Sequence, residues 1–75
     1  MKVFAVIHDS TKYMSGLLGV YSEREKAAEE IQNYVDKEWE DVDAKYLDIN
    51  LEAGYAHYDG YYGYDYLTIF EASVK

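Results

Sequence analysis

Two histidine–acid pairs are the residues of this sequence best suited to acid–base or metal chemistry. His8 is followed by Asp9, and His57 precedes Asp59 by two residues. If the outer strands that carry them were paired, these side chains could meet as metal ligands or as an acid–base pair. However, the chain has no cysteine and no spacing typical of a zinc-protease helix, a calcium loop or a phosphate-binding loop. We therefore predict ordinary strand histidines, no catalytic residues, no metal and no cofactor.

The tyrosines point to binding rather than to catalysis. The chain has ten of them, and six lie between Tyr55 and Tyr66. Side chains alternate between the two faces of a strand, so we expect half of these rings in the core, with Tyr55 or Tyr58 and Tyr66 among them. A ring beside a tight turn is hard to bury, and tyrosine offers a binding surface a large, stiff contact area with a polar tip. The rings expected on the surface for this reason are Tyr61, Tyr62 and Tyr64.

The acidic residues are candidates for the recognition of a positively charged partner. Between Asp36 and Glu52 the chain has seven acids and two bases, a net charge of −5. If the helix continues past Lys37, spacings of three and four residues place carboxylates about 5–6 Å apart along one helix face. That separation is comparable with the phosphate separation of a nucleic-acid strand. The alternative is an ordinary solvated helix face. The acids that we predict to contact a partner are Asp36, Glu40, Asp41 and Asp43.

One helix is predicted by a capping pattern and an apolar stripe. Ser22 to Glu25, "SERE", matches a capping box, in which the serine hydroxyl and the glutamate carboxylate each accept a backbone N–H. The helix is expected from Glu23 to about Lys37, or with a break to about Lys45. Apolar residues then recur at three- and four-residue spacing. They are Ala27 or Ala28, Ile31, Val35, Trp39 and Val42.

The remaining segments predict an antiparallel sheet. "KVFAVIH" and "YLTIFEASV" are apolar on both faces, as in central strands, and "LLGVY" should pair antiparallel with the first strand. "KYLDINLEAG" fits a helical turn or a short strand. Asp59–Gly60 is a strong hairpin-turn signal, and Gly63 marks a bulge or widens the turn. We predict a single α+β domain over residues 1–75, with about four strands in the order β-β-α-β-β and one main helix packed on one face of the sheet.

The charge balance limits the class of partner. Fifteen acids against seven bases give a net charge of −8. Nucleic-acid backbones and anionic membranes require clustered Lys and Arg, so direct binding to either is disfavoured, and with it the stacking of bases on the tyrosines. A basic protein is favoured, unless the acidity serves only solubility. The N-terminal apolar run is too short for a signal peptide or a membrane span, so we expect a cytoplasmic protein.

A resemblance adds a biological setting. "MKVFAVIH" followed by "GVYSEREKAAEEI" resembles a group of small uncharacterised proteins of Gram-positive bacteria and their phages, over about residues 1–31. The resemblance implies an α+β fold and, for a phage protein, action in the host cytoplasm. In size and charge the chain is also similar to phage anti-defence proteins, including anti-CRISPR proteins and other DNA mimics.

These observations lead to one functional prediction and one alternative. We predict a non-enzymatic acidic binding protein, a phage-type inhibitor that blocks a basic nucleic-acid-handling protein of the host by mimicking nucleic-acid charge. The acids would replace phosphates, and the turn tyrosines would supply the apolar anchor. The alternative is a small interaction or assembly domain, such as a homodimer formed through the tyrosine-rich hairpin.

Overall fold

The chain folds into a five-stranded antiparallel sheet with one helix. The computed structural model describes residues 1–11, 15–60 and 63–74. The α+β class is confirmed, but the expected four strands in the order β-β-α-β-β are wrong, because "KYLDINLEAG" supplies both a helical turn and an additional strand. The elements are β1 Lys2–Ser10, β2 Gly16–Tyr21, α1 Arg24–Glu38, a 3-10 turn Ala44–Tyr46, β3 Leu47–Asn50, β4 Tyr55–Gly60 and β5 Gly63–Ser73.

The sheet order is β2-β1-β5-β4-β3, so the first and last strands of the chain are neighbours. β1 and β5 pair over nine residues, from Lys2 opposite Ser73 to Ser10 opposite Asp65. Both are interior strands, as their apolar character on two faces predicts. The predicted antiparallel pairing of β1 with β2 is confirmed, with an irregularity between Val6 and Ile7.

The helix begins one residue later than the capping pattern predicts. Glu23 is the N-cap, its backbone is extended, and no side chain caps the helix. The predicted capping box is therefore wrong, because Ser22 lies outside the helix end. The helix start is instead attached to the β3–β4 connection, since Arg24 donates a hydrogen bond of 3.2 Å to the carbonyl oxygen of Leu51 and another to that of Glu52.

The helix ends at Glu38, close to the shorter of the two predicted ends. Trp39 leaves the helical conformation, with φ −109° and ψ 20°, while its N–H still donates to the Val35 carbonyl oxygen at 3.0 Å. Its indole ring enters the core, where it is 5% exposed. Continuation to Lys45 is thus wrong, because burial of this ring takes the chain out of the helix.

The core lies between α1 and one face of the sheet. Ala27 and Ile31 of the helix pack with residues of three strands, and Val35 is half-buried beside them. The predicted stripe is thus confirmed within the helix, whereas Trp39 and Val42 reach the core from beyond the helix end. Burying a side chain such as Ile31 stabilises the fold by about 1.5–3 kcal/mol. The fully buried hydrophobic residues are Val6, Ala27, Ile31, Trp39, Ala56 and Leu67.

No described element covers the opposite face of the sheet, whose residues include Ala5, Ile7 and Phe70. The Cα radius of gyration is 12.5 Å, against roughly 11 Å expected for a compact chain of this length. A single helix on a five-stranded sheet accounts for the elongated shape. Within the described residues, no helix combines the length and apolar character needed to cross a bilayer.

The β4–β5 hairpin pairs as far as Gly60 opposite Gly63. Asp59 and Gly60 are therefore strand residues and not the predicted turn, and the residues that connect the strands, 61 and 62, lie outside the described part. Gly63 does not form the predicted bulge, because the β4–β5 register is continuous. It does have a positive φ of 154°, and a Cβ there would collide with the Thr11 hydroxyl.

Candidate partner-binding face

The sheet face opposite the helix, called the open face below, is the candidate site. Strand alternation and register define its members. From β2 and β1 it takes Leu17, Val20, Val3, Ala5, Ile7 and Asp9; from β5 it takes Tyr64, Tyr66, Thr68, Phe70 and Ala72; from β4 and β3 it takes Tyr55, His57, Asp59, Asp48 and Asn50.

Four aromatic rings form a continuous row across the hairpin, which we call the aromatic ladder. His57 lies directly opposite Tyr66, and their ring centroids are 4.4 Å apart. Tyr55 extends the row along β4 and Tyr64 extends it along β5, each at 4.6 Å. Interplanar angles of 30–38° make these tilted stacks. All four residues are half-buried, so each keeps part of its surface available to another molecule.

Two carboxylates flank the ladder and bind its phenols. The Tyr64 hydroxyl donates to Asp9 Oδ1 at 3.2 Å, and the Tyr66 hydroxyl donates to Asp59 Oδ2 at 3.5 Å. The charge of Asp9 is the main cause that raises the pKa of Tyr64 above 10.0. For Tyr66, loss of hydration raises the pKa first, and the charge of Asp59 adds to it. Both phenols therefore stay neutral and donate hydrogen bonds at physiological pH.

The open face carries negative but not positive charge in the described strands. Lys2 is the one lysine or arginine in the five described strands, and it lies on the helix side with Phe4, where it pairs with Glu71 at 3.3 Å. Asp48, opposite His57, adds a third carboxylate to the open face beside Asp9 and Asp59. In the part of the chain that the structure describes, none of the three forms an ion pair.

The other end of the open face is apolar. Ala5 lies between Phe70 on one side and Val20 on the other, and Leu17 lies opposite Ile7. Val20, Phe70 and Leu17 are 53%, 55% and 59% exposed. An apolar area of this kind beside aromatic rings is typical of an interaction surface rather than of an ordinary protein exterior.

The buried polar residues lie on the helix side, where they form hydrogen bonds and contacts with one another and with Tyr34 and Trp39. Asp65 accepts hydrogen bonds from Trp39 Nε1 and from the Tyr34 hydroxyl, both at 3.0 Å, and its other oxygen contacts His8 Nε2. Tyr34 Oη lies 3.2 Å from His8 Nε2. No described buried side-chain polar atom lacks a partner. The cluster joins the helix and its end to the two central strands, and we assign it a structural role.

The two histidine–acid pairs do not meet. His8 points to the helix side and His57 to the open face, and β5 separates their strands. The suggestion of a joint metal or acid–base site is therefore wrong. In the described part of the chain, no group of three His, Cys, Asp or Glu residues is arranged to hold a metal ion.

The structure separates the predicted contact acids. Asp36 is exposed on α1, but Glu40 and Asp41 lie in turns beyond the helix. Asp43 is the N-cap of the 3-10 turn and accepts the Lys45 N–H at 3.1 Å. The prediction of an acidic helix face that continues past Lys37 is therefore wrong, because the helix ends at Glu38, before three of the four predicted contact acids.

The tyrosine predictions divide between the two faces. Tyr58 packs against the core as expected, whereas Tyr66 lies on the open face and was wrongly expected in the core. Tyr64 lies in the ladder, and Tyr61 and Tyr62 fall outside the described residues. The ladder and its acid Asp9 were missed, although the pattern Tyr55-x-His57-x-Asp59 places three of these residues on one strand face. Asp9 lies opposite Tyr66 because of the β1–β5 register, and no pattern in the sequence of either strand predicts that register.

Comparison of the chain with protein-family models, with curated proteins and with solved structures found no match.

Proposed function

We propose that this chain is a non-enzymatic binding protein that holds a basic protein partner on its open face. The observation that supports the proposal most directly is the combination of flanking carboxylates with an aromatic ladder that no described element covers. Aromatic rings supply the apolar contact area of a typical interface. Carboxylates without a described basic partner are complementary to Lys and Arg. The net charge of −8 increases the rate of encounter with a basic protein.

The narrower proposal concerns the kind of partner. A basic surface that accepts this face is typical of nucleic-acid-handling proteins, and occupation of that surface would block nucleic-acid binding. The chain would then act as an inhibitor in the host cytoplasm, in the manner of phage anti-defence proteins. The charge and the size of the chain support this setting. The structure gives no support to a helix face that mimics evenly spaced phosphates, because α1 ends at Glu38.

Affinity capture with matched variants tests this proposal. The chain is used to capture proteins from nuclease-treated bacterial lysate at low and at high salt, in parallel with Tyr66→Leu and with Asp36→Asn. We expect the wild type and Asp36→Asn to retain a nucleic-acid-binding protein that salt releases and nucleic acid displaces, and Tyr66→Leu to lose it. Equal capture by all three forms would exclude the open face as the contact surface.

A second candidate function is favoured by the apolar end of the open face. Val20 and Phe70 resemble the apolar centre of a homodimer interface, and a second copy would cover them. Sedimentation over a wide concentration range tests this assembly function. A dimer that Phe70→Ser abolishes supports self-association, and a monomer at every concentration rules it out.

A further inference from the structure

We infer that the aromatic ladder is a site for arginine side chains, so that the partner is recognised through guanidinium groups and not by positive charge alone. This inference rests on the proposed binding function and specifies the chemistry of the partner. It depends on the shape of the ladder, on the state of its phenols and on the position of its carboxylates.

The Tyr64 end of the aromatic ladder is suited to a flat cation. The centroids of Tyr64 and Tyr66 are 4.6 Å apart and their planes are tilted by 30°, so the two rings stack on each other, and Tyr66 lies between Tyr64 and His57. The face of Tyr64 that points away from Tyr66, at the end of the row, is stacked on no described ring and can take a further planar group. A guanidinium is planar, weakly hydrated and stacks on aromatic faces, whereas an ammonium is compact and strongly hydrated. Stacking on this outer face of Tyr64 therefore favours arginine over lysine.

The hydrogen bonds of the phenols strengthen the attraction for a cation. Tyr64 donates to Asp9 and Tyr66 donates to Asp59. A phenol whose hydrogen is bound to a carboxylate has a more electron-rich ring, and the attraction of a cation to a ring grows with the negative charge of its face. The same contacts orient both rings before a partner arrives, which reduces the entropy lost on binding.

Carboxylates lie beside the aromatic ladder on both neighbours of β5. Asp9 lies opposite Tyr66 on β1, and Asp59 lies opposite Tyr64 on β4. At the usual strand spacing, β1 and β4 are about 10 Å apart. An arginine stacked on the ladder can therefore reach a carboxylate on either side, and two neighbouring arginines can use both. Carboxylates accept the two parallel N–H groups of a guanidinium, a geometry that lysine cannot reproduce.

A second copy of this chain is a poorer occupant of this end of the face. It would bring the same three acids, Asp9, Asp48 and Asp59, against themselves, and the described strands offer no lysine or arginine on the open face to neutralise them. Like charges placed against each other across an interface oppose association. Charge complementarity therefore selects a basic segment.

Two synthetic peptides with equal charge and spacing, one built from Arg-Gly-Ser repeats and one from Lys-Gly-Ser repeats, test the inference by calorimetry. We expect the arginine peptide to bind about three- to tenfold more tightly, as expected for partly solvated cation–π and bidentate contacts. Tyr64→Leu should remove that preference, and Asp9→Asn should weaken the arginine peptide more than Asp36→Asn, which removes the same charge from the helix. Circular dichroism verifies that each variant is folded. The comparison of the two peptides uses the wild-type chain alone, so it does not depend on whether a variant folds.

The outcomes separate the inference from the proposed function. Equal affinity for the two peptides, or a preference that survives Tyr64→Leu in a folded protein, would overturn arginine recognition while leaving a basic partner in place. Failure of both peptides to bind at low salt would overturn the inference together with the proposed function.

Discussion

At the scale of single residues, the two faces of the sheet use acidic groups in opposite ways. Asp65 is buried, accepts hydrogen bonds from Trp39 and Tyr34, and contacts His8. Asp9 is exposed and accepts hydrogen bonds from Tyr64 and Ser15. A buried carboxylate is costly unless its partners are complete, whereas an exposed one remains available to a ligand. Asp65 is therefore expected to control stability, and Asp9 to control binding.

Replacement of Asp65 by asparagine should strongly destabilise the fold. One carboxylate oxygen becomes an NH₂ group, so one of the two oxygens that Trp39, Tyr34 and His8 contact can no longer accept a hydrogen bond. Leaving a buried donor without its acceptor costs about 1–3 kcal/mol, a large part of the stability of a small domain. Urea unfolding followed by circular dichroism measures the loss. Asp59→Asn is the matched control on the open face and should change the free energy of unfolding by less than about 0.5 kcal/mol; equal effects would contradict the assigned structural role.

The ionisation of Tyr64 should depend on Asp9. The Asp9 charge raises the pKa of Tyr64 in the folded protein, so this contribution to stability is fully present below about pH 10, the unfolded pKa, and is lost as pH rises through the folded pKa. Asp9→Asn should lower the pKa of Tyr64, which NMR of ring-labelled tyrosine measures. Asp48→Asn removes the charge of a side chain that does not contact Tyr64, so it should leave the pKa of Tyr64 unchanged. A Tyr64 pKa that is the same in wild type and in Asp9→Asn would show that the contact is absent in solution.

At the scale of elements, local patterns predicted the helix and four of the five strands, but not the additional strand β3 or the limits of the elements. "KVFAVIH" and "YLTIFEASV" carry their apolar residues at strand spacing and became β1 and β5. The helix ends where Trp39 turns into the core and its indole N–H donates to Asp65 of β5. No residue near position 39 indicates this contact, so the helix end could not be predicted from the local sequence. The open face was missed for a related reason. Alternation predicts which residues share a strand face, but not which strands are neighbours or which face the helix covers.

The helix start offers a direct test of local pattern against structure. Ser22→Ala should change the free energy of unfolding by less than about 0.5 kcal/mol, because Ser22 lies outside the helix end. Glu23→Ser should stabilise the protein by about 0.5–1 kcal/mol, because it places a good capping hydroxyl at the true N-cap. Thermal and urea unfolding of both variants measure these changes. A loss of about 1 kcal/mol in Ser22→Ala would instead support the capping box.

At the scale of the whole molecule, charge and contact area have separate roles. The net charge of −8 acts over distance, whereas the ladder acts only on contact. Rates of association depend on long-range charge and are weakened by salt, while rates of dissociation depend on the contacts that must break. The acids near the helix end, which include Glu40 and Asp41, can therefore assist encounter without touching the partner.

Kinetic measurements with the arginine peptide should separate the two roles. Asp41→Lys should lower the association rate and its dependence on salt, with little change in dissociation. Tyr66→Leu should mainly speed dissociation, because truncation of an aromatic anchor removes contact area rather than charge. Surface plasmon resonance at several salt concentrations measures both rates. If Asp41→Lys chiefly speeds dissociation, then the acids beyond the helix are contact residues and the division of roles is wrong.

The most direct test of the central claim, that the open face is the contact surface for a basic partner, is NMR chemical-shift mapping of the wild-type chain during titration with the arginine peptide. The account predicts that the largest changes fall on His57, Tyr64 and Tyr66, with little change along α1. The largest changes at Asp36 and the acids beyond the helix, with an unaffected ladder, would contradict it.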